Sequence, residues 1–132
     1  MVIVIDSSAL IKYLLREEGW SEVRKHLEEG CVTLDLALKE TINAIWKRVM
    51  MGGLEEGYAR EVVEAFLRSG IVRVEDQVRF LEEALSAAVR RRITVYDSIF
   101  ITLAKSRGLP LLTSDREQAR AAEEEGVETI LA

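Results

Sequence analysis

Residues 1–10 read MVIVIDSSAL, and the order of residue types in this stretch decides the fold. Val2, Ile3, Val4 and Ile5 form an unbroken β-branched run, the pattern of a strand buried on both faces as in a parallel sheet. The run stops at Asp6. Two serines follow, and then a helical spacing of apolar residues begins. Open parallel sheets take their ligands just beyond the carboxyl ends of their strands. Asp6 is therefore a carboxylate at the edge where such a sheet does its chemistry.

Outward from that stretch the chain alternates short apolar strands with helices, the signature of an α/β fold with a parallel sheet. Leu10, Ile11, Leu14 and Leu15 predict a first helix over Ser8–Arg16, broken by Gly19. A second helix over Ser21–Glu29 closes at Gly30, and Cys31–Thr33 is a short strand. Asp35 is placed to cap a third helix, Leu36–Met51, whose apolar side is Leu38, Ile42, Ile45, Trp46 and Val49. After Gly52-Gly53 a fourth helix, Leu54–Ser69, turns Tyr58, Val62, Ala65 and Phe66 inward. Ile71–Val74 reads as a strand, Asp76–Arg91 and Tyr96–Arg107 as helices, and Leu111–Thr113 as a strand behind Gly108-Leu109-Pro110. A helix over Arg116–Glu125 and an edge strand over Val127–Leu131 end the chain. No repeat, linker or low-complexity tract interrupts residues 1–132, which reads as a single domain.

Composition narrows the chemistry. With 48% hydrophobic and 31% charged residues, the chain is not of the disordered class. One cysteine, Cys31, leaves no disulfide framework and no thiolate zinc site. His26 is the only histidine, and its setting, WSEVRKHLEEG at 20–30, reads as a solvated helix face rather than a nucleophile–histidine pair. Met1 leads into the strand without a charged leader, and no apolar run reaches the length of a membrane span. The expectation is a cytoplasmic protein with no membrane contact. The net charge of −5 argues against a dedicated duplex-coating domain, but clustered carboxylates at a metal site add negative charge themselves.

Four acids share a disposition. Asp6 ends the first strand, and N-capping is its ordinary alternative. Glu40, in LDLALKETINAIWK at 34–47, heads a polar stripe with Asn43 and Lys47, opposite Ile42, Ile45 and Val49. The alternative for Glu40 is a solvated face. Asp97, in TVYDSIFITLAKSRG at 94–108, begins a stripe continued by Phe100, Ile101 and Ala104, so it points inward and needs a donor or a cation. Its alternative is a capping box with Thr94. Asp115, in LPLLTSDREQA at 109–119, follows a strand and opens a helix as Asp6 does, with capping at Ser114–Glu117 as its alternative. Thr113 and Ser114 add hydroxyls at the same edge. Four carboxylates gathered at one sheet edge cannot all ionise without compensation. A hard divalent cation compensates them, and oxygen-only ligands favour Mg²⁺ or Mn²⁺ over Zn²⁺. Such ions activate water for phosphodiester cleavage.

The segments VIDSSALIKYLL (4–15), LALKETINAIWK (36–47), VYDSIFITLAKSRG (95–108) and LLTSDREQ (111–118) resemble, in order and spacing, the motifs of PIN-domain ribonucleases, and most closely the VapC toxins of prokaryotic toxin–antitoxin systems. The resemblance covers almost the whole chain. It implies a three-layer α/β/α fold with a five-stranded parallel sheet and a metal-dependent endoribonuclease site at one edge. It carries the family's acids onto Asp6, Glu40, Asp97 and Asp115 as catalytic metal ligands, and its hydroxyl residue onto Thr113. The implied cofactor is Mg²⁺ or Mn²⁺. The implied partners are a structured RNA substrate, a cognate antitoxin protein and a second copy of the chain in a homodimer. Asp35 is an extra acid whose ordinary role is capping.

Lys12, Arg16, Lys47 and Arg116 are available to hold a phosphate backbone, although surface charge is the ordinary reading of each. Arg90-Arg91-Arg92 has two readings, an RNA guide beside Asp97 or a cation cluster at a helix C-terminus. A competing function is a non-catalytic RNA- or protein-binding module of the same fold. Phosphotransfer on Asp6 is disfavoured because Ser8 stands where a dehalogenase-type site needs a second acid. A dinucleotide fold is disfavoured because Ser7-Ser8 replaces a glycine-rich turn.

Overall fold

Ile3–Ile5 forms β1, the middle of a five-stranded parallel sheet in a computed structural model that describes residues 2–132. The other strands are β2 (Cys31–Leu34), β3 (Arg73–Glu75), β4 (Leu111–Thr113) and β5 (Thr129–Leu131), in the spatial order β3-β2-β1-β4-β5. Val4 pairs with Val32 on one side and Leu111 on the other. Ile3, Val4 and Ile5 are fully buried, as their β-branched run requires, and each contributes roughly 1.5–3 kcal/mol of apolar burial. Val2 stays outside the strand and is exposed. The buried Thr33 hydroxyl donates to the Ile5 carbonyl at 2.6 Å and ties β2 to β1.

Helices α1 (Ser7–Leu14) and α2 (Trp20–Glu29) join β1 to β2, and α3 (Asp35–Met50) and α4 (Glu56–Ser69) join β2 to β3. Helices α5 (Leu81–Arg91) and α6 (Val95–Arg107) lead back to β4, and α7 (Arg116–Glu124) joins β4 to β5. Right-handed crossovers put α1–α4 on one face of the sheet and α5–α7 on the other, the three-layer α/β/α arrangement. The chain leaves β1 towards β2 and leaves β4 towards β5, in opposite directions. The carboxyl ends of β1 and β4 therefore flank a topological switch point, where α/β sheets open a crevice. Gly108 closes α6 at φ +63°, a left-handed turn that glycine takes freely, and so aims the chain into β4.

Four expectations shift. The third strand is Arg73–Glu75 rather than Ile71–Val74, because its register pairs Arg73 with Val32 and Glu75 with Leu34. The helix expected from Asp76 begins only at Leu81. Asp76 Oδ1 accepts from the Val78 N–H at 2.8 Å, a local bond that competes with helix, and a 3₁₀ turn over Val78–Phe80 intervenes. Tyr58 and Ala65, expected inward, are exposed, and Trp46 on the apolar side of α3 is 56% exposed. The apolar sides of α3 and α4 instead face each other across an open groove of about 750 Å³, lined by Ile42, Ile45, Trp46, Val49, Val63 and Leu67 among others. The final strand starts at Thr129, two residues later than expected.

Candidate active site

At the switch point Asp6, Glu40, Asp97 and Asp115 line one cavity of about 330 Å³, with Ser7, Ser8, Asn43, Lys47 and Gln118, and with Ile11 and Phe100 as apolar wall. Asp6 is buried at the end of β1 and serves two purposes. It is the N-cap of α1: Oδ1 accepts from the Ala9 N–H at 3.0 Å and from Ser8 Oγ at 2.8 Å. Its other oxygen accepts from Thr113 Oγ1 at 2.5 Å, across the gap between β1 and β4. Capping and cavity, posed as alternatives by sequence, coexist because a carboxylate has two oxygens.

Thr113, fully buried, accepts in turn from the Asp115 N–H at 3.0 Å, and Ser8 Oγ accepts from the Ser114 N–H at 2.9 Å. These bonds hold the start of α1 to the end of β4. Asp115 caps α7, taking the Glu117 and Gln118 N–H groups on Oδ1 at 2.9 and 3.3 Å, so the cap is Asp115 itself rather than Ser114. Glu40, one turn and a half into α3, accepts from Ser7 Oγ at 2.5 Å. Thr94 caps α6 through the Asp97 N–H at 3.3 Å, and the Asp97 side chain lies at the cavity. From sequence Ser7 and Ser8 served to disfavour phosphotransfer and a dinucleotide turn; here Ser7 orients Glu40 and Ser8 orients Asp6. Gln118 escaped it altogether, since a helical glutamine reads as solvated. Its spacing of three from Asp115 was the available signal.

The electrostatics are those of surplus negative charge. Burial pushes the Asp6 carboxyl up to about 6 from an ordinary 3.8, with the charge of Asp115 adding to it and the Thr113, Ala9 and Ser8 donors opposing. Glu40 is raised by burial and by Asp97, against the Ser7 bond. Asp97 is raised by burial and by Asp115, with Thr94 opposing. Among the described residues none of the four forms an ion pair. The donor set is all oxygen and the charge is uncompensated, which fits a hard divalent cation. As they stand, no three acidic, histidine or cysteine side chains among the described residues lie close enough to hold one ion between them.

The remaining candidates separate cleanly. Asp35 lies outside the cavity, with Oδ1 accepting from the Leu36 and Gln77 N–H groups. Of the cations named from sequence, only Lys47 lines the cavity. Lys12 donates to the Ala132 carbonyl at 2.8 Å, and Arg16 stacks on Tyr13 and Trp20 at 4.6 and 4.4 Å. Arg90 and Arg91 both bond Glu125, forming a cluster between α5 and the end of α7.

The model of a family described as PIN domain matches residues 3–124. Ribonuclease VapC3 of Pyrobaculum aerophilum is 32% identical over 124 residues, covering 90% of this chain and 93% of its own. Exonuclease VapC9 of the same organism is 35% identical over 114 residues, covering 86% and 80%. The crystal structure of PAE2754 from Pyrobaculum aerophilum superposes with a TM-score of 0.74 at 28% identity, covering 98% of this chain and 92% of that one. With a parallel sheet in the order β3-β2-β1-β4-β5 and four acids around one cavity at its switch point, the chain belongs to the PIN domain family, among its VapC-like members.

Proposed function

We propose that this chain is a Mg²⁺- or Mn²⁺-dependent endoribonuclease that cleaves structured RNA, and that it is the toxin of a toxin–antitoxin pair. The observation that carries the reading is the convergence of Asp6, Glu40, Asp97 and Asp115 on one cavity, four acids against the single cation Lys47. A divalent cation supplies an activated water and stabilises the charge of in-line phosphodiester cleavage. The chain's own residues prepare for it. Ser8 and Thr113 hold Asp6, Ser7 holds Glu40, and Lys47 brings the cavity a positive charge suited to a phosphate. The names of the two Pyrobaculum relatives support nuclease activity. The relative named an exonuclease, at 35% identity, favours a second reading in which cutting proceeds from an RNA end.

A protein partner is supported by the apolar groove between α3 and α4, which shares α3 with the acidic cavity. A homodimer is supported by an uncovered apolar stripe, Val78, Leu81, Leu85 and Val89, each at least 40% exposed. Among the described residues no helix is long and apolar enough to cross a membrane, and a cytoplasmic location is part of the proposal. Residues 1–132 are proposed to act as one PIN-like unit.

The test uses linear and circularised versions of one structured RNA, incubated with the chain plus Mg²⁺ or Mn²⁺, or plus chelator. Cutting of both forms, abolished by chelator, is expected. Cutting of the linear form alone selects the exonuclease reading. Cutting that persists in chelator, or no cutting of any RNA, overturns the proposal and favours a binding module. Growth arrest on expression, relieved by a cognate partner, tests the toxin role.

A further inference from the structure

Gln118 is the most deeply buried polar residue of the cavity wall that carries no charge and belongs to none of the segments' acids; only 3% of it is exposed. It sits one turn into α7, and its N–H is among the donors capped by Asp115. Its side chain reaches back to α6, where Nε2 donates to the Asp97 carbonyl at 2.9 Å. That bond fixes which way the amide is turned, because a carbonyl accepts only from the NH₂ side. The amide oxygen accepts no hydrogen bond from any described residue, although Gln118 lines the acidic cavity.

Burying a glutamine costs free energy unless its amide is satisfied, and an alanine or leucine would fill a helix–helix contact at less cost. Apart from the α6 hydrogen bonds and the Thr94 cap on its N–H, the Asp97 backbone has this one side-chain tie, and it comes from α7. Asp97 and Asp115 sit on two separate helices and both line the acidic cavity, so their like charges face one site. Gln118 is the residue that bonds both: its backbone takes the Asp115 carboxylate and its side chain takes the Asp97 carbonyl.

We propose that Gln118 is a positioning residue of the acidic cavity: by bridging Asp97 on α6 and Asp115 on α7 it sets the separation of these two carboxylates for a shared divalent cation. The inference rests on the proposed metal-dependent function and names a residue that supports it. Outer partners of metal ligands of this kind change metal affinity by about 10–100-fold when removed.

The experiment is isothermal titration of Mn²⁺ into the full chain, at a temperature where every variant is folded by circular dichroism. Gln118→Met keeps the length and packing and removes the donor. Phe66→Leu, in the core away from the cavity, is the control for lost stability alone. Wild type and Phe66→Leu are expected to bind Mn²⁺ alike, and Gln118→Met about tenfold or more weakly. Equal affinity in Gln118→Met and wild type overturns the positioning role and leaves the nuclease reading standing. Equal weakening in both variants also overturns it, since stability alone would then explain the loss. A wild type that binds no Mn²⁺ overturns the functional reading, and this inference with it.

Discussion

Two regions of the molecule each gather buried carboxylate, and they resolve it in opposite ways. Beneath α5, α6 and α7, the Glu125 side chain is 3% exposed and receives Arg90 at 2.9 Å, Arg91 at 2.7 Å and Lys105 at 3.1 Å. Led by the Arg90 bond, these cations hold its carboxyl down to about 2. At the switch point, Asp6 and its three companions have hydrogen-bond donors but no ion pair, and the Asp6 carboxyl rises to about 6. One cluster is complete without a ligand, and it fastens three helices together. The other is held in shape by Ser7, Ser8 and Thr113 and is left electrically incomplete. Surplus carboxylate at the carboxyl edge of a parallel sheet is the charge that the proposed divalent cation would offset.

The comparison breaks most visibly in catalysis. Asp6→Asn, Glu40→Gln and Asp97→Asn each keep the side-chain shape and remove a charge from the incomplete cluster. RNA cleavage is expected to fall by about 10²–10³-fold or more, several kcal/mol of transition-state stabilisation, with circular dichroism unchanged. Glu125→Gln is expected to leave cleavage per folded molecule as it was. Variants of the four acids that cut like wild type would remove the distinction between the regions.

Stability against pH sharpens it, because the two carboxyls have opposite signs. A carboxyl raised in the folded state favours folding fully below its unfolded value, and that contribution is lost as pH rises through the folded value. For Asp6 the window runs from about 3.8 to about 6, so the metal-free chain loses on the order of 3 kcal/mol across it. Asp6→Asn should flatten that slope. Glu125 is depressed, so its contribution is present above about 4.5 and is lost as pH falls towards about 2. Glu125→Gln should flatten the acid limb and cost about 2 kcal/mol at pH 7, discounted for the solvent that reaches Arg90 and Lys105. Denaturant midpoints between pH 3 and 8 measure both. A smaller effect is expected at Ser7→Ala, which strips Glu40 of its donor: cleavage about tenfold lower and stability about 1 kcal/mol lower.

Much of this was legible in the residues, and the gaps have physical reasons. The β-branched run ending at Asp6 announced a central strand and its acid, and Leu111–Thr113 announced β4, because burial on both faces leaves an unmistakable pattern. The starts of α6 and α7 were marked by capping signals at Thr94 and Ser114, although the cap of α7 proves to be Asp115 itself. Trp46 and Tyr58 were misplaced because apolar spacing tells which side of a helix is greasy, and not what covers it. The third strand and the start of α5 depended on register against β2 and on a local bond from Asp76, both invisible in composition. The partner of Arg90 and Arg91 lies more than thirty positions away, so their role could not be read from their own neighbourhood. Gln118 offered only its spacing of three from Asp115, because its side-chain bond to the Asp97 carbonyl is tertiary.

The central claim is that the switch-point acids hold charge that a divalent cation completes, while Glu125 is complete already. Carbon-13 NMR titration of the assigned Asp6 and Glu125 carboxyls, without and with Mg²⁺, tests it most directly. Asp6 is expected to titrate near 6 in the metal-free chain and to move down when Mg²⁺ is added, with Glu125 near 2 and unmoved. An Asp6 that titrates in the ordinary carboxylate range, or that ignores Mg²⁺ at millimolar concentration, would contradict the account.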